Sequence, residues 1–183
     1  MLHPLVKLAR QAIKHYLTTK QILNPDPNTI PAKYHQNQAT FVTLTQNHKL
    51  RGCIGSILST EPLYQNLIKN AINAAVNDPR FPPLTLPELD KTQISISIIH
   101  PPTQFFFDSP QELINHLQKN KPGVILKINN RQALFLPAVW EKIPDPVNFL
   151  SALCQKALLP SNCWQNPNTQ IFTFTTTEIK EKN

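Results

Sequence analysis

The sequence predicts an α+β fold, a mainly antiparallel sheet flanked by helices within one domain spanning residues 1–183. Three observations point there. Apolar residues recur at helical spacing in several separate segments. The strand-like segments come as hairpins joined by short polar turns. Strands and helices also do not alternate in the regular way that parallel crossovers require.

Taken in order, Pro4–Lys20 spaces Leu5, Leu8, Ala9, Ala12, Ile13, Tyr16 and Leu17 as an amphipathic helix. Asn24-Pro25-Asp26-Pro27-Asn28 breaks it, and Ile30–Gln38 reads as a loop. Ala39–Thr45 is a Thr-, Val- and Phe-containing strand that turns at Gln46-Asn47-His48 into a second strand, Lys49–Leu58. Thr60-Glu61-Pro62 opens a helix with a cap residue, an early acid and an early proline. Leu63, Leu67, Ile68, Ala71, Ile72, Ala74 and Ala75 form its buried stripe.

Asp78-Pro79-Arg80-Phe81-Pro82-Pro83 is a stiff loop, because each residue before a proline is pushed out of helical geometry. Gln93–Ile99 is a strand with Ile94, Ile96 and Ile98 on one face and Ser95 and Ser97 on the other. Ser109-Pro110-Gln111-Glu112 has the form of a capping box and starts a helix over Pro110–Lys119. Gly123–Ile128 and Arg131–Leu136 flank Asn129-Asn130 as a second hairpin. Asp145-Pro146 caps a helix whose inner face is Phe149, Leu150, Leu153, Cys154 and Ala157. Gln170–Thr177 alternates as one closing strand, and Glu178–Asn183 is expected to be a frayed polar tail. The total is about six strands and four or five helices.

Composition excludes several classes. Hydrophobic residues make up 40% and charged residues 16%, which is not a disordered composition. No apolar run approaches the roughly 18 residues of a membrane span, and Met1–Gln11 is too polar for a secretory signal. Cys53, Cys154 and Cys163 are too few and too scattered for a disulfide framework, so a reducing cytoplasm is expected. Cys154 lies at core spacing and Cys163 reads as a loop anchor. The net charge of +7 invites a nucleic-acid partner. The lysines are spread evenly, however, with no basic run and no aromatic-basic motif, so nucleic acid is only weakly supported. Neither a metal site nor a cofactor is expected. The six histidines form no His-x-x-x-His pair, no Cys-x-x-Cys occurs, and Walker and dinucleotide fingerprints are missing.

The chain has only three glycines and four arginines. Gly52, Gly55 and Arg51 all fall within Arg51-Gly52-Cys53-Ile54-Gly55. Strict strand alternation places Arg51 and Cys53 on one face, roughly 7 Å apart, with Leu50 and Ile54 on the other. A guanidinium at that range favours a thiolate. Gly52 and Gly55 would let a ligand approach the sulfur. Two readings stay open here: Cys53 as a nucleophilic or ligand-binding thiol aided by Arg51, or Cys53 as a packing residue. A base such as His48 or His100 is not placed by the sequence. In the proline loop, Arg80 and Phe81 either face outward as binding residues, or Phe81 plugs the core while Arg80 pairs with Asp78.

Leu50-Arg51-Gly52-Cys53-Ile54-Gly55, a following helix, and Asp78-Pro79-Arg80-Phe81-Pro82-Pro83-Leu84 together resemble the AMMECR-one domain family. Its prokaryotic members are named AmmeMemoRadiSam system protein A. The resemblance extends over Phe41-Val42-Thr43-Leu44, Ile94-Ser95-Ile96-Ser97, Leu134–Trp140 and Leu153–Pro160. It departs at Asn129–Ala133 and near Ala157-Leu158, where the family usually carries glycine. The resemblance implies an α+β fold of a larger and a smaller lobe, with a cleft near the cysteine motif. It also implies an association with Memo-type and radical SAM proteins, in which the redox chemistry belongs to those partners. The runner-up expectation is a non-catalytic adaptor that docks nucleic acid or protein through its basic surface and the Arg80 loop.

Overall fold

A computed structural model describes residues 2–181. The fold is α+β, in two compact units: among the described residues, 2–100 with 177–181, and 101–176.

The first unit begins with α1 (Pro4–Thr19), capped by the His3 ring and closed by a left-handed Lys20. Leu5, Val6, Ala9, Ala12 and Ile13 form its buried stripe. The loop after it is wound into two short 3-10 turns, Pro27–Thr29 and Ala32–Tyr34. β1 (Ala39–Gln46) and β2 (Lys49–Gly55) form the expected hairpin, with Asn47 and His48 both at positive φ, as a tight turn between twisted strands requires. Then come α2 (Leu63–Val76), the single turn α3 (Leu86–Leu89) and β3 (Gln93–Ile99). The sheet order is β2-β1-β3-β8, where β8 is Thr176–Lys180. β1 runs antiparallel to both β2 and β3. Val42, Leu44, Ile94 and Ile96 from the sheet share one core with Leu67, Ala71 and Ala75 of α2 and the stripe of α1. Between sheet and helix lies a polar cluster. Asn66 Oδ1 accepts from the Thr40 amide and hydroxyl, and Asn70 Nδ2 donates to the Thr40 carbonyl, so every buried side-chain polar atom there is paired.

The second unit contains β4 (Thr103–Phe105), α4 (Pro110–Asn120), β5 (Gly123–Ile128), β6 (Arg131–Phe135), α5 (Pro146–Lys156) and β7 (Gln170–Phe174). Its sheet order is β4-β7-β5-β6, antiparallel throughout. Ser109 and Asp145 cap α4 and α5 as their sequences indicate. Trp140 stacks on Phe149 with ring centroids 3.8 Å apart, and its indole N–H donates to the Pro122 carbonyl. Leu113, Leu126, Leu150, Leu153 and Ile171 complete the core.

The structure corrects five expectations. There are two four-stranded sheets rather than one. Gln170–Thr177 is not one strand: the segment splits, β7 joining one sheet and β8 the other. The frayed tail expected over Glu178–Asn183 is structured through Glu181; residues 182 and 183 lie outside the described residues. The Glu181 carboxylate holds Arg10 and accepts the Ile94 amide. Thr60 caps nothing, since α2 starts after Pro62 with no side-chain cap. Cys154 and Cys163 are joined in a disulfide, Cα atoms 5.9 Å apart, tying α5 to the turn Cys163–Gln165. Core spacing describes Cys154 correctly, as it is fully buried. It cannot reveal that the loop after α5 brings the second sulfur back.

Candidate functional site

β2 is an edge strand, so half of its backbone groups face away from the sheet and need other partners. At Cys53 those partners come from the proline loop. The Cys53 amide donates to Asp78 Oδ2 at 2.8 Å, and Arg80 donates to the Cys53 carbonyl at 3.3 Å. Asp78, 4% exposed, also accepts from Arg80 through Nε at 2.9 Å and a terminal guanidinium nitrogen at 2.7 Å. This bidentate geometry is the strong form of a charge-assisted hydrogen bond. The Arg80 hydrogen bond, aided by the Cys53 amide, holds the Asp78 carboxyl far below the usual carboxylate range despite burial. Arg80 is raised in turn, first by Asp78, with the charge of Cys53 contributing in the same direction.

Because the Cys53 amide points outward to Asp78, Cys53 and Thr43 face each other as a non-hydrogen-bonded pair, the arrangement in which opposed side chains come closest. Cys53 Sγ lies 3.1 Å from Thr43 Oγ1. Ser95 of β3 stands opposite Thr43 on its other side, so a thiol and two hydroxyls form a row across three strands. The sulfur is half-buried and is the free cysteine of the chain.

Strict alternation fails in β2. The register shifts between Leu44 and Thr45, where Gly52 opposes Leu44 and Leu50 opposes Thr45, leaving Arg51 as the extra residue of a β-bulge. Leu50 is therefore on the Cys53 face, contrary to the alternation expected from sequence. Arg51 is committed elsewhere: its Nε lies 3.3 Å from Glu88 Oε1 in an ion pair. Glu88 also receives the Thr85 amide and hydroxyl, which with Arg51 hold its carboxyl below the usual range.

The two glycines permit close approach, but of protein rather than of ligand. A Cβ on Gly52 would fall 2.1 Å from the Ala74 carbonyl oxygen, so Gly52 is where the backbone of α2 meets the sheet. A Cβ on Gly55 would meet the Phe41 ring at 2.2 Å; Phe41 opposes Gly55 in the register and lies across it. In the proline loop Arg80 pairs with Asp78, its side chain 54% exposed, and stacks over Phe81, 5.5 Å from the ring centroid. Phe81 is half-buried, and Leu84 is the loop residue that enters the core. His100 is hydrogen-bonded to Thr177 rather than to the thiol. Among the described residues no group of His, Cys, Asp and Glu is arranged to hold a metal ion, and no helix is long and apolar enough to cross a membrane.

The site is thus Cys53, Thr43, Asp78 and Arg80, with Arg51 and Glu88 beside it. Sequence pattern alone did not assign Thr43 a place, because its position opposite Cys53 depends on the bulge.

Comparison with known proteins matches residues 6–179 to the AMMECR1 family. The chain is 36% identical to a protein of Methanopyrus kandleri over 97% of its own length and 87% of that protein's. It is 35% identical to a protein of Thermococcus kodakarensis over 97% of its own length and 89% of that protein's. The crystal structure of a Pyrococcus horikoshii protein superposes with a TM-score of 0.89 at 35% identity, covering 97% of this chain and 90% of that one. The chain belongs to the AMMECR1 family.

Proposed function

We propose that this AMMECR1 chain is the thiol-bearing component of a protein or small-molecule modification system, with Cys53 as its nucleophilic or ligand-binding group. One observation carries the reading: a half-exposed sulfur, 3.1 Å from the Thr43 hydroxyl, on a backbone clamped from both sides by Asp78 and Arg80. The clamp fixes the strand, so the thiol is presented on a rigid element rather than on a mobile loop. Arg80, rather than Arg51, is the cation that stabilises a thiolate. Both arginines are paired, Arg80 with Asp78 and Arg51 with Glu88, but Arg80 is the one that also donates to the Cys53 carbonyl and feels the charge of Cys53. Thr43 donates to the ionised sulfur. The resemblance to AmmeMemoRadiSam system protein A supports cytoplasmic Memo-type and radical SAM proteins as partners, with the redox step on their side and the thiol on this one.

The test is the rate of iodoacetamide labelling at Cys53 in the native protein, where the disulfide already protects Cys154 and Cys163. The expected result is labelling of Cys53 without denaturant, faster than that of a free thiol under the same conditions. Arg80→Met and Thr43→Val should each slow the reaction. Labelling only after unfolding would overturn the proposal. Salt-sensitive nucleic-acid binding by such an inert protein would favour the adaptor reading instead.

A further inference from the structure

The second unit holds a cavity of about 1080 Å³, formed by the segment 104–110, the segment 165–171 and Asn129. None of it belongs to the cysteine site. We propose that it binds a neutral carbohydrate.

The first ground is an aromatic platform. Phe105 and Phe107 are anchored: their rings stack at 6.2 Å, and Phe105 also stacks on His116 of α4 at 3.9 Å. Phe106 stands between them and is 77% exposed, the most exposed aromatic side chain of the described core and surface hydrophobics. Its neighbours hold the backbone, so a flat apolar ring is kept in water with only two side-chain torsions left to order on binding. A pyranose presents axial C–H groups that pack on such a ring face, and its hydroxyls then need partners around the rim.

The second ground is the rim. Gln104, Asn129, Gln165, Asn168 and Gln170 line the cavity, and no hydrogen bond ties their side-chain amides to other described residues. Each amide offers a donor pair and an acceptor, the combination that matches vicinal hydroxyls. The wall carrying three of them is fixed. Asn166 Oδ1 accepts the Asn168 amide, and Thr169 is tied through its hydroxyl to the Cys163 carbonyl at 2.6 Å and through its amide to Asn166.

The third ground is charge. The chain carries 18 lysines and arginines, yet no cationic side chain lines this cavity, and Asp108 is its one carboxylate. A site for phosphate, nucleotide or single-stranded nucleic acid would collect cations. A cavity of this size, rich in amides and lacking cations, fits a short neutral oligosaccharide.

The experiment is a titration of the intact protein with a panel of neutral tri- and tetrasaccharides built from glucose, galactose, mannose and N-acetylglucosamine, followed by amide chemical shifts. At least one of them should shift signals confined to 104–110, 129 and 165–171. Affinity should be unchanged between about 0.1 M and about 0.5 M salt, since no ion pair is formed. Phe106→Ala, at an exposed position, should fold normally and weaken binding by about tenfold or more, the loss expected for one aromatic contact. Phe106→Tyr should retain it. The proposal is overturned if no saccharide in the panel shifts these signals, if Phe106→Ala binds as the parent does, or if an oligothymidylate binds there with affinity that falls as salt rises.

Discussion

Replacing Asp78 tests the clamp on β2 directly. In Asp78→Ala the Cys53 amide loses its acceptor at the sheet edge, and a stranded donor costs about 1–3 kcal/mol. The bidentate contact with Arg80 is lost too, but Arg80 is 54% exposed and its charge is recovered by water, so this part adds only about 0.5–1 kcal/mol. The sum is about 2–4 kcal/mol, or roughly 10 °C in the midpoint of a domain this size. Both tryptophans, Trp140 and Trp164, lie in the second unit, so indole fluorescence reports the wrong part of the chain. Calorimetry, or the tyrosine signal of Tyr16, Tyr34 and Tyr64, reports the first. Asp78→Asn adds a pH signature. The folded carboxyl titrates below its ordinary value of 3.8, so its stabilisation is complete above that pH and is lost as pH falls through the folded value. The parent should therefore weaken more steeply than Asp78→Asn below about pH 4. An Asp78→Ala protein within about 0.5 kcal/mol of the parent, or superimposable acid profiles for the parent and Asp78→Asn, would refute the reasoning.

Two further outcomes follow from packing and covalent structure. Gly52→Ala drives a methyl group into a backbone oxygen at 2.1 Å, which no rotamer change can relieve. It should cost about 1–3 kcal/mol or more in thermal unfolding, while Cys53→Ala costs far less. Reducing the Cys154–Cys163 disulfide, which closes a separation of nine residues, should destabilise the second unit by about 2–3 kcal/mol, read from tryptophan fluorescence in denaturant with and without dithiothreitol. No change on reduction would show that the turn is held by its hydrogen bonds alone.

How far the sequence could be read depended on the range of the physics involved. Local signals were legible. The helices at Pro4–Thr19, Pro110–Asn120 and Pro146–Lys156 follow from periodicity and caps, and both hairpins from their Asn-containing turns. What failed was non-local. Alternation in Gln170–Thr177 is correct for each half, but nothing in the pattern marks where the chain leaves one sheet for the other. The short β4 is stabilised by pairing with β7, a non-local contact; α3, in contrast, opens with a local capping box, Thr85 with Glu88 three residues on, a signal that was present in the sequence and went unread. At the site, the sparing use of glycine and arginine correctly drew attention to 51–55, and the proline loop to Arg80. The bulge at Arg51 then reassigned the partners. An extra residue between Leu50 and Gly52 is invisible in a pattern of period two, yet it decides whether Cys53 opposes Val42 or Thr43.

That bulge also links the edge of the sheet to the proposed chemistry. An unbulged register would set Cys53 against the buried Val42, turning the thiol toward α2 and into the core. With one residue added, the sulfur turns to the face bearing Thr43 and Ser95, while Gly52 takes the inward position where only a missing side chain fits beneath Ala74. The outward amide and carbonyl of Cys53 then become the open edge that Asp78 and Arg80 close. Edge protection and presentation of the thiol are thus consequences of the same local geometry. Deleting Arg51 removes the bulge yet leaves Leu50 opposite Thr45, Gly52 opposite Leu44 and Cys53 opposite Thr43, so native labelling of Cys53 should persist in the deletion variant as in Arg51→Ala; a folded deletion variant that resists labelling would refute this register argument.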